Sequence, residues 1–337
     1  MIAPASRGSL RDPRFWVLTG AALLLFATFA APSLTRTGNG VDVLVIVDIT
    51  GSMNVRDVKL AGRPASRLDL VKSVLREALA SLPCPARFGL GVFSERQSFL
   101  LFEPVDVCAA FDAIEGTLAG LDWRMGWEGD SHVAMGLYRA IDMARDVKAD
   151  LAFFTDGHEA PPPPASGGPA FEGERGAVKG LIMGVGEYAL SPIPKFDDDG
   201  REIGFYGMND VLQENRFGPP PKDAEGREGY NPRNAPFGGQ VATGSEHLSS
   251  VREPYLKSLA EATGLAYRHL SDAPSFVAAL KETAKPRPVP VALDLRPFLA
   301  SGALALLLAA YGLAPALAAL RRRFGAKSFA FPFFRRT

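Results

Sequence analysis

The stretch that decides the fold is VDVLVIVDITGSMNVRD, residues 41–57. Its first part, residues 41–47, is apolar and mostly β-branched, and Asp42 is its only polar residue. A short apolar run of this kind predicts a central strand that is buried on both faces of a parallel sheet. The run ends at an acid, so the next residues are expected at the carboxyl end of that strand, where open α/β sheets bind their ligands.

Three oxygen-bearing side chains alternate along the chain directly after this predicted strand: Asp48, Thr50 and Ser52. Gly51 between them lets the backbone turn tightly, so the three side chains can converge on one point. Hard oxygen ligands without cysteine or histidine suit Mg²⁺, Mn²⁺ or Ca²⁺ rather than zinc. Taken alone, the triplet is equally compatible with an ordinary capped turn.

The composition describes a globular chain of 337 residues, 47% hydrophobic, with 37 basic and 37 acidic residues. This length is sufficient for one large domain or two small ones with a real core. The formal net charge of zero gives no global reason to expect a nucleic-acid partner.

Two uncharged apolar segments lie near the ends of the chain, at residues 15–31 and 298–320. Each is long enough to cross a bilayer core of about 30 Å as a helix, the first only just. Arginines flank both segments on their outer sides: Arg7, Arg11, Arg14, Arg321, Arg322 and Arg323. The positive-inside rule then predicts that both flanks are cytoplasmic. The first segment could instead be a signal peptide, but no clean Ala-x-Ala site follows it, which favours an uncleaved anchor.

This topology predicts three regions in the chain. Residues 1–36 form a cytoplasmic stub and an anchor, residues 37–290 a domain on the far side, and residues 291–337 a second transmembrane helix with a basic cytoplasmic tail. In a bacterium with an outer membrane, the chain would lie in the inner membrane with its main domain in the periplasm.

Helical and strand patterns alternate through most of the middle region. Helices are predicted at 66–82, 109–121, 131–144, 254–263 and 273–283, and strands at 41–47, 87–93, 98–105, 150–156, 180–186 and 265–269. Such alternation predicts an α/β fold, a doubly wound, mostly parallel sheet, and the short turn between 87–93 and 98–105 adds an antiparallel edge hairpin.

The alternation is interrupted by a polar segment rich in glycine and proline, at about residues 187–250. Within it, the sequence around Asp199 and Gly200 predicts a hairpin turn. An Asp-rich Ca²⁺ loop is the weaker interpretation, because the rest of an EF-hand pattern is missing. A loop of this length is uncommon unless it is functional or partly disordered.

The chain has two cysteines, Cys84 and Cys108, which flank the predicted edge hairpin. The turn centres near residue 96, so the two positions oppose each other across the hairpin. In an oxidising compartment this predicts a disulfide, and two buried thiols are the alternative.

Three of the predicted strand and loop ends carry oxygen side chains. Besides the Asp48 loop, Ser131 lies in a Gly-Asp-Ser turn before a helix, and Asp156 ends the strand at 150–156. In a doubly wound sheet all three loops lie on the same rim, so their joint occurrence is far more specific than any one of them.

This combination resembles the von Willebrand factor type A domain and its metal-ion-dependent adhesion site, with the pattern Asp-x-Ser-x-Ser, a threonine and an aspartate on three loops. The resemblance implies metal ligands at Asp48, Thr50, Ser52, Ser131 and Asp156, and Mg²⁺ as the ion, with Mn²⁺ or Ca²⁺ as alternatives. Thr50 stands for a serine and Ser131 for the threonine, and both exchanges keep a hydroxyl. The resemblance also implies a protein partner that supplies an Asp or Glu to the metal, and no enzymatic activity.

The two anchors around one such domain are similar to those of bacterial Bat-type proteins. The phrases DITGSMNVRD, LDWRMGWEGDS and FFTDGHEAPP further resemble the membrane-anchored A-domain proteins that accompany methanol dehydrogenase clusters. That resemblance implies a role in assembly or maturation of a periplasmic quinoprotein dehydrogenase, and a MoxR-type AAA+ ATPase as a cytoplasmic partner.

A loop rich in aromatic residues precedes Ser131 and contains Trp123, Arg124, Met125 and Trp127. These residue types are common anchors in protein interfaces, so the loop is a candidate for partner binding. The alternative is that the tryptophans pack beneath the loop.

An enzyme is the rival interpretation of the same stretch. Asp48-Ile-Thr-Gly-Ser resembles the phosphorylated loop of haloacid-dehalogenase phosphatases, in which the first aspartate is the nucleophile. The second aspartate expected after Asp130 is missing, because Ser131 and His132 follow instead. The spacing therefore favours the metal-dependent binding domain.

Overall fold

The computed structural model describes residues 13–30, 33–126, 130–163, 168–211, 213, 244–313 and 315–316. The chain divides into two compact units, and we describe each by itself. One comprises residues 39–289, and the other comprises residues 1–38 with 290–337.

A six-stranded sheet forms the centre of the larger unit. Its strands are β2 (Asp42–Asp48), β5 (Arg87–Ser94), β6 (Gln97–Asp106), β7 (Asp150–Thr155), β8 (Gly180–Gly184) and β13 (Ala266–His269). They lie in the order β13-β8-β7-β2-β5-β6, and all neighbouring pairs are parallel except β5 and β6. The predicted α/β fold with a mostly parallel sheet and an antiparallel edge hairpin is confirmed.

Five helices cover the two faces of this sheet. They are α2 (Arg67–Ser81), α3 (Phe111–Gly120), α4 (Val133–Asp146), α5 (Glu253–Thr263) and α6 (Ala273–Thr283). Side chains of β2 alternate between the faces: Val45 packs in one core cluster with α2, α3 and α6, and Ile46 packs in the other with α4 and α5. The sheet is therefore doubly wound, and β2 is buried along its whole length.

The helices begin close to the positions that the sequence predicts. Ser66 caps α2, because its hydroxyl accepts a hydrogen bond from the backbone N–H of Asp69. Asp272 caps α6 through a reciprocal capping box with Ser275. These local hydrogen bonds satisfy amides that have no partner inside the helix.

The edge hairpin brings the two cysteines together. Arg87 pairs with Asp106 at the open end of the hairpin, so the chain on either side of the hairpin converges there. Cys84 and Cys108 are joined by a disulfide, with 5.1 Å between their Cα atoms.

Short antiparallel pairs lie outside the main sheet. The sequence predicts the hairpin of β10 (Pro194–Phe196) with β11 (Glu202–Phe205), which turns at Gly200. It does not predict β3 (Val58–Leu60) with β4 (Arg63–Ala65), or β9 (Ser191–Pro192) with β12 (Leu248–Ser249). β1 (Ser33–Gly40) and β14 (Arg287–Asp294), also unpredicted, form a further two-stranded sheet. β3, β4, β9 and β12, with two or three residues each, are too short to show a hydrophobic period.

The smaller unit contains α1 (Pro13–Phe29) and α7 (Arg296–Leu308). Gly20 lies against Leu306, and Gly302 lies against Leu24, so the two helices run antiparallel. Large apolar side chains on both helices are exposed: Phe15, Trp16, Leu18, Leu23, Leu25, Phe26, Phe29, Phe298, Leu304 and Leu308.

Both helices have fewer than 18 residues in α-helical geometry. α1 has 17 residues, and α7 has 13 before its backbone changes to a π-helical turn at Ala309–Leu313. Within the described part of the chain, no helix combines the length and apolarity needed to cross a membrane. The prediction of two transmembrane helices is not met there; the end of the predicted second span, 317–320, and the basic tail lie outside the described residues.

Candidate metal centre

The chain reverses its direction of winding between β2 and β7, and the candidate site lies at this point. From β2 the chain moves outward to β5 and β6, and it then returns to place β7 on the other side of β2. The carboxyl ends of the two strands are neighbours, because Val47 pairs with Phe154. Asp48 ends β2 and Asp156 follows β7, so both carboxylates lie in the crevice typical of ligand sites in such sheets.

Asp48 is fully buried, and neighbouring groups fix both of its carboxylate oxygens. Its Oδ1 accepts hydrogen bonds from the backbone N–H of Thr50 at 2.8 Å and from the Thr50 hydroxyl at 2.7 Å. Its Oδ2 accepts from the hydroxyl of Thr155 at 2.6 Å. The Thr50 and Ser52 hydroxyls lie 3.4 Å apart, so the three side chains of this loop converge.

Asp156 is held by a buried arginine. Arg67 Nη1 lies 2.5 Å from Asp156 Oδ2, and the Ser249 hydroxyl donates to the same oxygen at 3.0 Å. The other oxygen accepts from the backbone N–H of His158 at 2.9 Å. Burial opposes ionisation of Asp156, but the charges of Arg67 and His158 and these hydrogen bonds together hold its pKa below the ordinary value.

The pKa of Asp48 is shifted in the opposite direction. Burial, and then repulsion from the charge on Asp156, raise its pKa from 3.8 to about 7, although Thr155 and Thr50 partly oppose this. Two carboxylates therefore share a dry crevice in which Arg67 neutralises only one of them. A cation beside Asp48 would relieve the repulsion.

Ser131 reaches the same crevice from the loop before α4. Its backbone N–H and C=O bond to the C=O and N–H of Ala160 at 2.7 and 2.8 Å, which ties this loop to the one after β7. Its hydroxyl is buried and has no hydrogen-bond partner. Thr50, Ser52 and Ser131 line one wall of a cavity of about 70 Å³ together with His158 and Glu159.

These residues fit a divalent ion. Two carboxylates and three hydroxyls supply only hard oxygen ligands, and the unpartnered Ser131 hydroxyl faces a cavity rather than a protein group. Within the described residues, no cluster of three or more His, Cys, Asp or Glu side chains could hold a metal, so a site here depends on its hydroxyls. The structure thus brings together all five predicted metal ligands.

The aromatic loop before Ser131 contacts the long insertion. The ring of Trp123 stacks on Phe196 of β10 with centroids 4.4 Å apart. Arg124 forms an ion pair with Asp122, and Met125 is 42% exposed. Trp127 lies outside the described residues. Trp123 is therefore partly covered within the chain, whereas Arg124 and Met125 remain at the surface.

Sequence reasoning did not single out Arg67, Thr155 or Ser249. One signal for Arg67 was present: with Val71, Val74 and Ala78 it occupies a helical stripe whose other members are buried and apolar. An arginine on such a stripe needs a buried anion as its partner. Thr155 and Ser249 gave no comparable signal, because each acts through a residue distant in sequence.

No protein-family model matches this chain, and no curated protein matches it. Solved structures do match the chain. BatB from Bacteroides thetaiotaomicron is 16% identical, with a TM-score of 0.44, over 72% of this chain and 96% of that one. An aerotolerance-related membrane protein from Bacteroides fragilis is 15% identical, with a TM-score of 0.43, over 72% and 98%.

A von Willebrand factor type A protein from Catenulispora acidiphila is 14% identical, with a TM-score of 0.37, over 80% of this chain and 44% of that one. With TM-scores below 0.5, none of these likenesses assigns a function to this chain.

Proposed function

We propose that the chain is a metal-dependent protein-binding module of the von Willebrand factor type A kind. The observation that carries the proposal is the unpartnered, buried hydroxyl of Ser131, which faces the same cavity as Thr50 and Ser52 at the carboxyl ends of β2 and β7. A buried hydroxyl without a partner is costly, so its position beside other oxygen groups supports a bound ligand at this point. That ligand is most simply a divalent cation, for which we propose Mg²⁺, with Mn²⁺ or Ca²⁺ as alternatives.

The balance of charge at the site supports binding rather than hydrolysis. Asp48 and Asp156 supply two negative charges, and the Arg67 guanidinium is shared between Asp156 and Asp57. A divalent ion held by so few carboxylates would offer an open coordination position to a carboxylate oxygen. The three hydroxyls add ligand atoms without adding charge, so they leave the attraction for an incoming Asp or Glu intact.

The geometry disfavours the phosphatase alternative. A nucleophilic aspartate must reach its substrate, but Asp48 has no exposed surface, and hydrogen bonds fix both of its oxygens. The neighbouring acid Asp130 is also buried, and its carboxylate faces Arg96 and His132 at 3.8 and 3.6 Å. We therefore propose that the chain is not an enzyme.

Metal binding is tested first by titrating the full-length chain with Mn²⁺. This ion is paramagnetic, so electron spin resonance measures how much of it is bound. We expect one Mn²⁺ ion to bind in competition with Mg²⁺, and Asp48→Asn to abolish this binding. Asp106→Asn, at an exposed acid on β6, is the matched control and should leave binding unchanged. Mn²⁺ binding that survives Asp48→Asn would contradict the proposed site.

Adhesion is tested separately by recovery of partner proteins on immobilised full-length chain. We expect specific partners to be retained with Mg²⁺ and released by a chelator, and the Asp48→Asn chain to retain none of them. Equal recovery by both chains would contradict metal-dependent adhesion, even if the ion binds.

We propose further that the chain is associated with the bacterial inner membrane and that its larger unit faces the periplasm. The antiparallel α1 and α7 support this, because small residues pack between them and large apolar side chains lie outside. Ala21 and Ala303 are almost completely buried. Small interior and large exterior side chains are typical of helices that pack in lipid. Sodium carbonate extraction of membranes and protease protection of residues 39–289 test the two parts of this proposal.

The proposed partner is a periplasmic protein. The phrases around Asp48, Trp123 and Asp156 support a client of the quinoprotein dehydrogenase type, such as methanol dehydrogenase, whose assembly or maturation the module would assist. A MoxR-type AAA+ ATPase is the proposed cytoplasmic partner. A deletion strain that makes normal amounts of active dehydrogenase would contradict the client.

A further inference from the structure

We infer that part of the insertion is a built-in lid over the metal centre, which a protein partner must displace. The lid is defined here as residues 187–211 with 244–250. The inference rests on the proposed function, because it concerns access to the same site. It is carried by three independent sets of contacts, which involve the cavity, the hairpin and the closing strand.

The lid forms one side of the cavity at the metal centre. Ile193, Tyr206, Val211 and Glu246 line it together with Thr50, Ser52 and Ser131. Ile193 is 5% exposed, and burial raises the pKa of Tyr206. A volume of about 70 Å³ has room for a few water molecules, but the approach of another protein's acidic side chain requires the lid residues to move.

The hairpin of the lid is fastened to both neighbouring loops of the site. Phe196 stacks on Trp123 of the aromatic loop. Glu202 on β11 forms an ion pair with Arg56, which follows the Asp48 loop, at 2.5 Å. The first contact covers part of Trp123, whereas Arg124 and Met125 of the same loop stay exposed to a partner.

The closing strand of the lid is bonded to the site itself. β12 pairs with β9, which joins the two ends of the insertion. Ser249 of β12 accepts a hydrogen bond from Arg67 at 2.7 Å and donates one to Asp156 at 3.0 Å. The base of the lid is thus bonded to a metal ligand, whereas the hairpin contacts the neighbouring loops through the aromatic stack, the largely exposed ion pair and the approach of Gly200 to Arg124. We infer that the hairpin opens while the base stays in place.

Two variants loosen the hairpin without altering any proposed metal ligand. Phe196→Ala removes the stack on Trp123, and Glu202→Gln removes the ion pair with Arg56. Ile203→Ala is the matched control, because Ile203 lies on the same hairpin and is 40% exposed. Stacking of this kind corresponds to roughly a twofold to tenfold change in an opening equilibrium, and an exposed ion pair to less.

The test measures hydrogen exchange and metal release in the full-length chain. In metal-free protein, we expect peptides that contain residues 50–54 and 130–133 to exchange about twofold to tenfold faster in Phe196→Ala, less so in Glu202→Gln, and unchanged in Ile203→Ala. In Mn²⁺-loaded protein, a chelator should remove the ion faster from the first two variants by similar factors.

Hydrogen exchange and Mn²⁺ release together distinguish a wrong lid proposal from a wrong metal-site proposal. Unchanged exchange at residues 50–54 and 130–133 in both loosened variants would overturn the lid, whatever the metal does. Faster exchange in a chain that binds no Mn²⁺ would support the lid and contradict the proposed function. Faster exchange together with faster release supports both.

Discussion

Arg67 and Asp156 form a fully buried ion pair, with 2.5 Å between Nη1 and Oδ2, and no part of either side chain is exposed. The same guanidinium also bonds to Asp57 and Ser249, so it connects the loop after β2, the loop after β7 and the end of the insertion. One side chain that was absent from the predicted ligands therefore organises the site. We first predict the effect of removing the Arg67 guanidinium.

Arg67→Met is expected to destabilise the full-length chain by about 3–5 kcal/mol, because it leaves buried carboxylates without a counter-charge. Urea unfolding followed by circular dichroism measures this difference in the free energy of unfolding. Arg76→Met on the same helix is the control: Arg76 pairs with Glu115 at the surface, and its loss should cost at most about 1 kcal/mol. Equal effects of the two substitutions would show that the buried network is not structural.

Two substitutions of Ser131 test whether its hydroxyl is a metal ligand. Ser131→Ala removes the unpartnered hydroxyl, and we expect the dissociation constant for Mn²⁺ to rise at least about tenfold. Ser131→Thr keeps the hydroxyl and should bind Mn²⁺ within about threefold of the unaltered chain. Isothermal titration with both variants is the measurement. If Ser131→Ala binds the ion normally, the hydroxyl is not a ligand.

The raised pKa of Asp48 predicts how stability depends on pH. Its pKa is about 7 in the folded, metal-free chain and 3.8 ordinarily, so the folded state holds the proton more tightly than the unfolded state. The stability contributed by this group is fully present below the ordinary pKa and is lost as the pH rises through the folded pKa. A bound cation favours the carboxylate and offsets this loss.

Mg²⁺ should therefore raise the melting temperature more at about pH 8 than at about pH 5.5, where a proton competes for Asp48. Thermal unfolding with Mg²⁺ or with a chelator at the two pH values measures the difference. In Asp48→Asn, Mg²⁺ should not raise the melting temperature at either pH. A Mg²⁺-dependent rise that is larger at the lower pH would contradict the assignment of Asp48 as a metal ligand.

The disulfide between Cys84 and Cys108 closes a segment with a sequence separation of 24 residues. The double substitution Cys84→Ser and Cys108→Ser is expected to lower the free energy of unfolding by about 3 kcal/mol, because it frees the unfolded chain. The unaltered chain in a strong reductant should lose a similar amount, and the double variant should not respond to reductant. A reductant effect in the double variant would show that the loss has another cause.

Much of the sheet could be predicted because its information is local. Strands that are buried on both faces appear in the sequence as short apolar runs, such as 41–47 and 150–156. The start of α2 is marked by its capping residue Ser66 and by Asp69. The ends of such strands then predict that Asp48 and Asp156 lie close together. The apolar segments at the two ends predicted the positions of α1 and α7, whereas the π-helical turn that begins at Ala309 had no signal in the sequence.

The sequence by itself determined the α/β class of the sheet and the set of oxygen side chains at its rim, because hydrophobic periodicity is a property of neighbouring residues. Only the tertiary structure decided which groups neutralise and cover that rim. Arg67, Thr155 and Ser249 meet Asp48 and Asp156 from distant parts of the chain, and Phe196 lies on Trp123. Long-range contacts of single polar or aromatic residues leave no period in a sequence, since their partners are fixed only when the chain packs.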